Sequence, residues 1–230
     1  MYAWLTSVGL LSVFLMSLVV KFWLADSMYA LAKSSWQEEN YLQADQYIDA
    51  AINLRSGEPV FHDQKAVISS HLAITAMDEN DATRAALYSQ DAIKQSQMTL
   101  AISPQNVNFW KNRTKIFYQL SALEPDLATS ALESILIARQ LAPSDAKVAY
   151  NTAILYGYNS QNQQAINALQ ETIDLKPDYR DAYIALAIFY EQEKNYPGVK
   201  DTLEKVLQRI NPQDQEVKDR LEQLKSRDNL

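Results

Sequence analysis

Two histidines, His62 and His71, are the first candidates for metal binding or proton transfer. Nine positions separate them, which on an ideal helix turns one side chain about 180° from the other. They lack the H-E-x-x-H spacing, and the chain has no cysteine to complete a zinc set. Ser144 and Lys147 form the bare S-x-x-K string of serine acylases. Its companion motifs are missing and it follows Pro143, so Ser144 is read as a helix N-cap. The glycines at 9, 57, 157 and 198 stand alone, and no phosphate-binding loop is formed. Asn112-Arg113-Thr114 is a glycosylation string inside an expected helix and is read as incidental. No nucleophile has a base at a usable spacing, so neither catalysis by this chain nor a cofactor nor a metal is expected.

Recognition is better represented. Lys111 and Lys115 are four apart, hence one above the other on a helix, and Tyr118 continues the stripe. Residues 105–143 carry a formal charge of +1, against −6 for residues 26–104. Arg113 falls where an apolar residue is expected between helices, and a guanidinium there requires a carboxylate or carbonyl partner. The whole chain, at −7, lacks the basic stripe of a nucleic-acid binder.

The elements that must position these residues are helices. Four glycines in 230 residues are too few for a sheet protein with many tight turns. Residues 1–20 carry no charged side chain, and after Lys21 the apolar run resumes through residue 25. Twenty helical residues span ~30 Å, the thickness of a bilayer core. Trp4 and Trp23 fall at its ends, where indole rings favour the interface, and Lys21 can extend to the headgroups. A cleaved signal peptide fits less well, because the run is long and lacks both a basic leader and an A-x-A-like site. Residues 1–25 are therefore expected to be a transmembrane helix with the lipid bilayer as a partner. Asp26 and Ser27 either cap a new helix or lie within one that runs on.

Prolines at 104, 143, 177 and 212 are 39, 34 and 35 residues apart, and each follows a segment that reads as a helix end. The intervals predict helices over 26–38, 41–55, 59–77, 81–103, 106–120, 125–141, 145–159, 162–175, 179–193 and 196–210. A last helix over 213–225 places Val217, Leu221 and Leu224 on one face. Tyr183, Leu186, Ala187 and Tyr190, then Val199 and Leu203, follow an aromatic–Leu–small–Tyr pattern and its sequel. Ala149, Thr152, Ala153 and Tyr156, then Ala165, Leu169 and Pro177, repeat it one unit earlier. Small residues at 32, 44, 131, 153, 165 and 187 let paired helices approach.

On these residues the chain from about position 26 resembles a tetratricopeptide repeat array, most specifically over residues 144–212. The resemblance implies an all-α fold: the transmembrane helix, then a right-handed solenoid of about five helix pairs over 26–212, and a capping helix and tail over 213–230. It implies a concave groove for a protein or peptide partner, lined by the first helix of each pair. Carried onto this sequence, it assigns Lys111, Asn112, Lys115 and Tyr118 to that groove in one unit, and Tyr150, Asn151 and Ile154 in the next. The segments 106–121 and 175–182 further resemble the repeat tail of bacterial O-antigen ligase/polymerase-like membrane proteins. That likeness implies a terminal part, or an accessory subunit, of a glycan-assembly protein whose polytopic portion is missing here. It places the array outside the cytoplasm, whereas Lys21 and Lys33 lean the other way under the positive-inside rule. The alternative is a single-pass adaptor unrelated to glycan assembly.

Overall fold

The computed structural model describes residues 2–228, with side chains described for residues 7–226. Among the described residues there are eleven α-helices and no strand. They are α1 (Tyr2–Gln37), α2 (Tyr41–Leu54), α3 (Pro59–Asp78), α4 (Ala82–Ile102), α5 (Val107–Leu120), α6 (Leu127–Leu141), α7 (Ala146–Tyr158), α8 (Asn162–Leu175), α9 (Arg180–Gln192), α10 (Tyr196–Arg209) and α11 (Gln215–Asp228). From α2 onward the expected boundaries agree with these to within about three residues.

Helix starts follow local chemistry. Asn40, Asp81, Asn106, Asp145 and Asn195 each accept a hydrogen bond from a backbone N–H in the first turn, satisfying a donor that the helix cannot. Asp145, not Ser144, caps α7, taking the N–H groups of Lys147 and Val148. A carboxylate there also meets the positive end of the helix dipole, which a hydroxyl does not. Four short turns within pairs place Glu39, Asn80, Ser160 and Lys194 in the left-handed region, with φ of 61°, 61°, 60° and 56°. Each lets the next residue's N–H reach back five positions, as from Asn195 to the Tyr190 carbonyl at 2.8 Å.

The chain divides into two compact units, one up to Leu127 and the other from Ala128. In the first, α1 packs on α2, α3 on α4, and α5 on both α3 and α4. In the second, α7 packs on α8, α9 on α10, and α10 on α11. The small positions are the tightest points: Ala32, Ala44, Ala131, Ala153 and Ala165 are fully buried and Ala187 nearly so. Gly157 on α7 is another, where an added Cβ would lie 2.2 Å from the Phe189 ring of α9. Val217 and Leu224 of α11 are buried against α9 and α10, with Leu221 beside them.

Helix α1 does not stop at Asp26. It runs unbroken to Gln37, and the Ser27 hydroxyl donates back to the Trp23 carbonyl instead of capping a new helix. From Ser7 to Gln37 the helix is long and apolar enough to cross a membrane. Its apolar side chains are exposed on every side, among them Leu10, Phe14, Val19 and Trp23. Burial begins at Ala25 and continues at Ala32. The side chain of Trp4 lies outside the described residues.

Candidate functional site

A side chain in the first turn of a first helix recurs as an anchor. The Trp110 indole donates to the Pro104 carbonyl at 2.7 Å, and the buried Tyr183 hydroxyl to the Pro177 carbonyl at 3.0 Å. His62 takes the same place, its Nε2 lying 2.8 Å from the Ser56 carbonyl. Ser56 is thus the counterpart of the repeat prolines, an equivalence hidden by the change of residue type. The other His62 nitrogen lies 2.7 Å from Gln95 Oε1, and Gln95 donates onward to Asp91. His71 instead packs against the rings of Trp36 and Tyr41, which also touch each other. Both histidines are therefore packing residues.

Beside His62 lies the most charged part of the interior. The Lys65 ammonium, 7% exposed, is 2.7 Å from Asp45 and 2.8 Å from Asp49 of α2. It is 3.8 Å from Asp91 of α4, which also accepts from the Ser69 hydroxyl. Burial would lower the Lys65 pKa, but hydrogen bonds to Asp45 and Asp49 outweigh it and hold the amine protonated. Three carboxylates converge here on an ammonium that supplies the cation itself. Among the described residues no cluster of three or more His, Asp or Glu is arranged to hold a metal.

The first unit also presents a polar group toward the helices expected to line a groove. Asp63 of α3 accepts a 2.6 Å hydrogen bond from the Asn112 amide of α5. Burial raises its carboxyl from 3.8 to about 6, only partly opposed by that bond. Among the described residues no cation lies within ion-pair distance of it. On α1, the partly buried Tyr29 ring stacks on Phe61, one turn below Lys33. Tyr29, Asp63 and Asn112 thus come from three successive first helices.

The expected groove residues do not share one direction. Asn112 turns toward α3, whereas Lys111 and Tyr118 lie about 100–120° round the helix from it. Lys115 and Tyr118 are exposed, and Lys111 is partly buried. Arg113 finds neither carboxylate nor carbonyl. Its guanidinium donates to the Ser96 hydroxyl at 3.1 Å and lies 4.2 Å over the Phe117 ring, and burial lowers its pKa. Within Asn112-Arg113-Thr114, Thr114 is turned inward and donates to the Trp110 carbonyl.

In the second unit, Tyr150, Asn151 and Ile154 are all partly buried on α7. The Tyr150 and Tyr179 rings are 5.1 Å apart, and the Lys176 ammonium is 5.1 Å over Tyr179. Burial raises the pKa of both phenols, with Asp181 adding to it. Arg180 binds Asp214 through two nitrogens, at 2.6 and 3.0 Å, and Glu216 at 2.7 Å, tying α9 to the start of α11. Sequence reading assigned none of Tyr29, Asp63 and Tyr179 to a site.

Residues 159–225 match the sequence model of the tetratricopeptide repeat. No curated protein matches the chain in sequence. Solved structures do match in fold. MamA from Desulfovibrio magneticus RS-1 is 17% identical, with a TM-score of 0.61, over 83% of this chain and 97% of that one. PilF of Pseudomonas aeruginosa is 17% identical, with a TM-score of 0.60, over 82% of this chain and 77% of that one. YrrB, a tetratricopeptide protein with an unusual peptide-binding site, is 15% identical, with a TM-score of 0.58, over 83% and 87%. Stacked helix pairs, turns of one design and the sequence match over 159–225 together make this a helical-repeat protein with the tetratricopeptide fold.

Proposed function

We propose that the chain is a membrane-anchored interaction module: α1 holds it at a bilayer and the first helices of its pairs present a binding surface to a protein or peptide. One observation carries the reading. The apolar, outward-facing part of α1 continues without a break into the first helix of the first pair. Water does not favour so many exposed apolar side chains, and a bilayer does. The fold supports the interaction role, since it offers broad helical faces. Within the binding surface we include Lys111, Asn112, Lys115 and Tyr118 in one unit, and Tyr150, Asn151 and Ile154 in the other.

Alkaline carbonate extraction of cell membranes tests the anchor. The intact chain is expected to stay with the lipid pellet, and a Leu10→Lys, Phe14→Lys double variant to be released. Recovery of the intact chain in the supernatant would refute it. Lys111→Glu with Lys115→Glu tests the basic stripe, and unchanged partner capture would remove those lysines from the surface. The likeness of segments 106–121 and 175–182 to glycan-assembly proteins supports a finer reading, in which the partner is a component of such an assembly outside the cytoplasm. Protease accessibility of the repeats in intact cells tests that placement.

A further inference from the structure

We infer that Asp63 and Asn112, with Tyr29 beside them, form a site on the first unit for a cationic side chain, an arginine or a lysine, of the partner. The inference rests on the reading of the first-helix faces as the binding surface, and it names the chemistry of one position there. The Asp63 carboxylate is partly buried, yet its one hydrogen-bond partner among the described residues is the neutral Asn112 amide, at 2.6 Å. A charge withdrawn from water is costly unless an opposite charge joins it. The cations nearby are committed elsewhere. Arg55 is 2.7 Å from Glu58 and 3.9 Å from Asp26, while Lys33 lies over the Tyr29 ring. Lys65 is held by Asp45 and Asp49 on the other side of α3. Tyr29 of α1 is the titratable neighbour that feels Asp63, and it also feels Glu58 at the start of α3 and carries Lys33 over its ring, while Asn112 from α5 is neutral.

The two polar groups suit one ligand. A carboxylate accepts from a guanidinium or ammonium, and the Asn112 Oδ1 remains able to accept as well, its Nδ2 being held by Asp63. The Tyr29 ring has Phe61 stacked on it, at 5.2 Å between ring centres, and Lys33 6.0 Å from its centroid, so it borders the site and does not itself bind the cation. A partner carboxylate would meet Asp63 and be repelled.

The probe is N-acetyl-arginine amide, titrated into the full chain in a non-ionic detergent and followed by NMR at the Asn112 side-chain amide and the Tyr29 ring. The neutral N-acetyl-glutamine amide is the control. Saturable shifts are expected with the arginine probe at pH 7.5. Affinity is expected to fall about tenfold at pH 5, where the carboxyl is protonated, and at least tenfold in Asp63→Asn, whose side chain has the same shape. Equal affinity in Asp63→Asn, equal binding of the glutamine control, or no saturable shift at pH 7.5 would each overturn the inference. The anchor is measured separately by carbonate extraction, so a failed titration with retained anchoring removes the cation site alone.

Discussion

Single side chains in the first unit carry opposite kinds of electrostatic debt. Asp63 is a charge with too little company. Its folded value of about 6 lies above the 3.8 of an ordinary aspartate, so the folded state takes up a proton that the unfolded chain releases. This contribution is fully present below pH ~4 and is lost as pH rises through about 6. Two pH units correspond to on the order of 2–3 kcal/mol, reduced because the group is not wholly buried. Asp63→Asn lacks this loss. Subtracting its urea-unfolding free energy from that of the wild type, from pH 4 to 7.5, should give a difference moving against the wild type by that amount. A flat difference would contradict the raised carboxyl. Lys65 is the reverse, one ammonium with three carboxylates around it. Lys65→Met leaves those carboxylates facing one another and should cost ~3–5 kcal/mol in the same assay at pH 7.5. Neither residue was marked by its spacing as special. Asp63 and Asn112 are 49 positions apart, and what joins them is the packing of α3 on α5. The sequence reading assigned Asn112 to the peptide groove, and its amide is turned to Asp63 of α3. It could not show that Asp63 would occupy the amide, nor that Lys111 and Tyr118 would face elsewhere.

Helices and their turns were far more legible. Their limits are set by local chemistry that a sequence displays: Asn or Asp at the cap, proline after the end, and alanine at the close approach between paired helices. Two features escaped because they depend on alternatives of nearly equal local merit. Ser144 and Asp145 can both cap, and the carboxylate reached the two N–H groups of α7. Asp26 and Ser27 can both start a helix, but α1 passed through them, with Ala25 and Ala32 buried on either side. Few glycines did not mean few left-handed residues, since Glu39, Asn80, Ser160 and Lys194 adopt that conformation with side chains attached. An L-residue there is strained by ~1–2 kcal/mol, part of which glycine recovers after its larger entropy loss on folding. Lys194→Gly should therefore raise stability by ~0.5–1 kcal/mol, seen as a higher thermal midpoint. Lys194→Val should lower it by a similar amount or more. If the two variants unfold alike, the turn does not depend on its φ.

At the scale of the molecule, the chain divides into two compact units. One is organised around Ile48, Phe61 and Ile68, the other around Leu169, Tyr183 and Leu203. The interval between prolines announced repetition, but the division at Leu127 was not visible in it. The six-residue break that ends at Asp126 differs from the four short turns within pairs in length and in having no left-handed residue, and the division falls one residue after it. The first unit is also the one that contains α1, and there is no joint in that helix between Trp23 and Lys33. A stiff shaft of this sort sets a compass bearing. Whatever grips the shaft at Phe14 also decides which way Tyr29 points. Each residue inserted after Leu24 would swing the bearing by about 100° and advance it ~1.5 Å, while seven would return it to within about 20°.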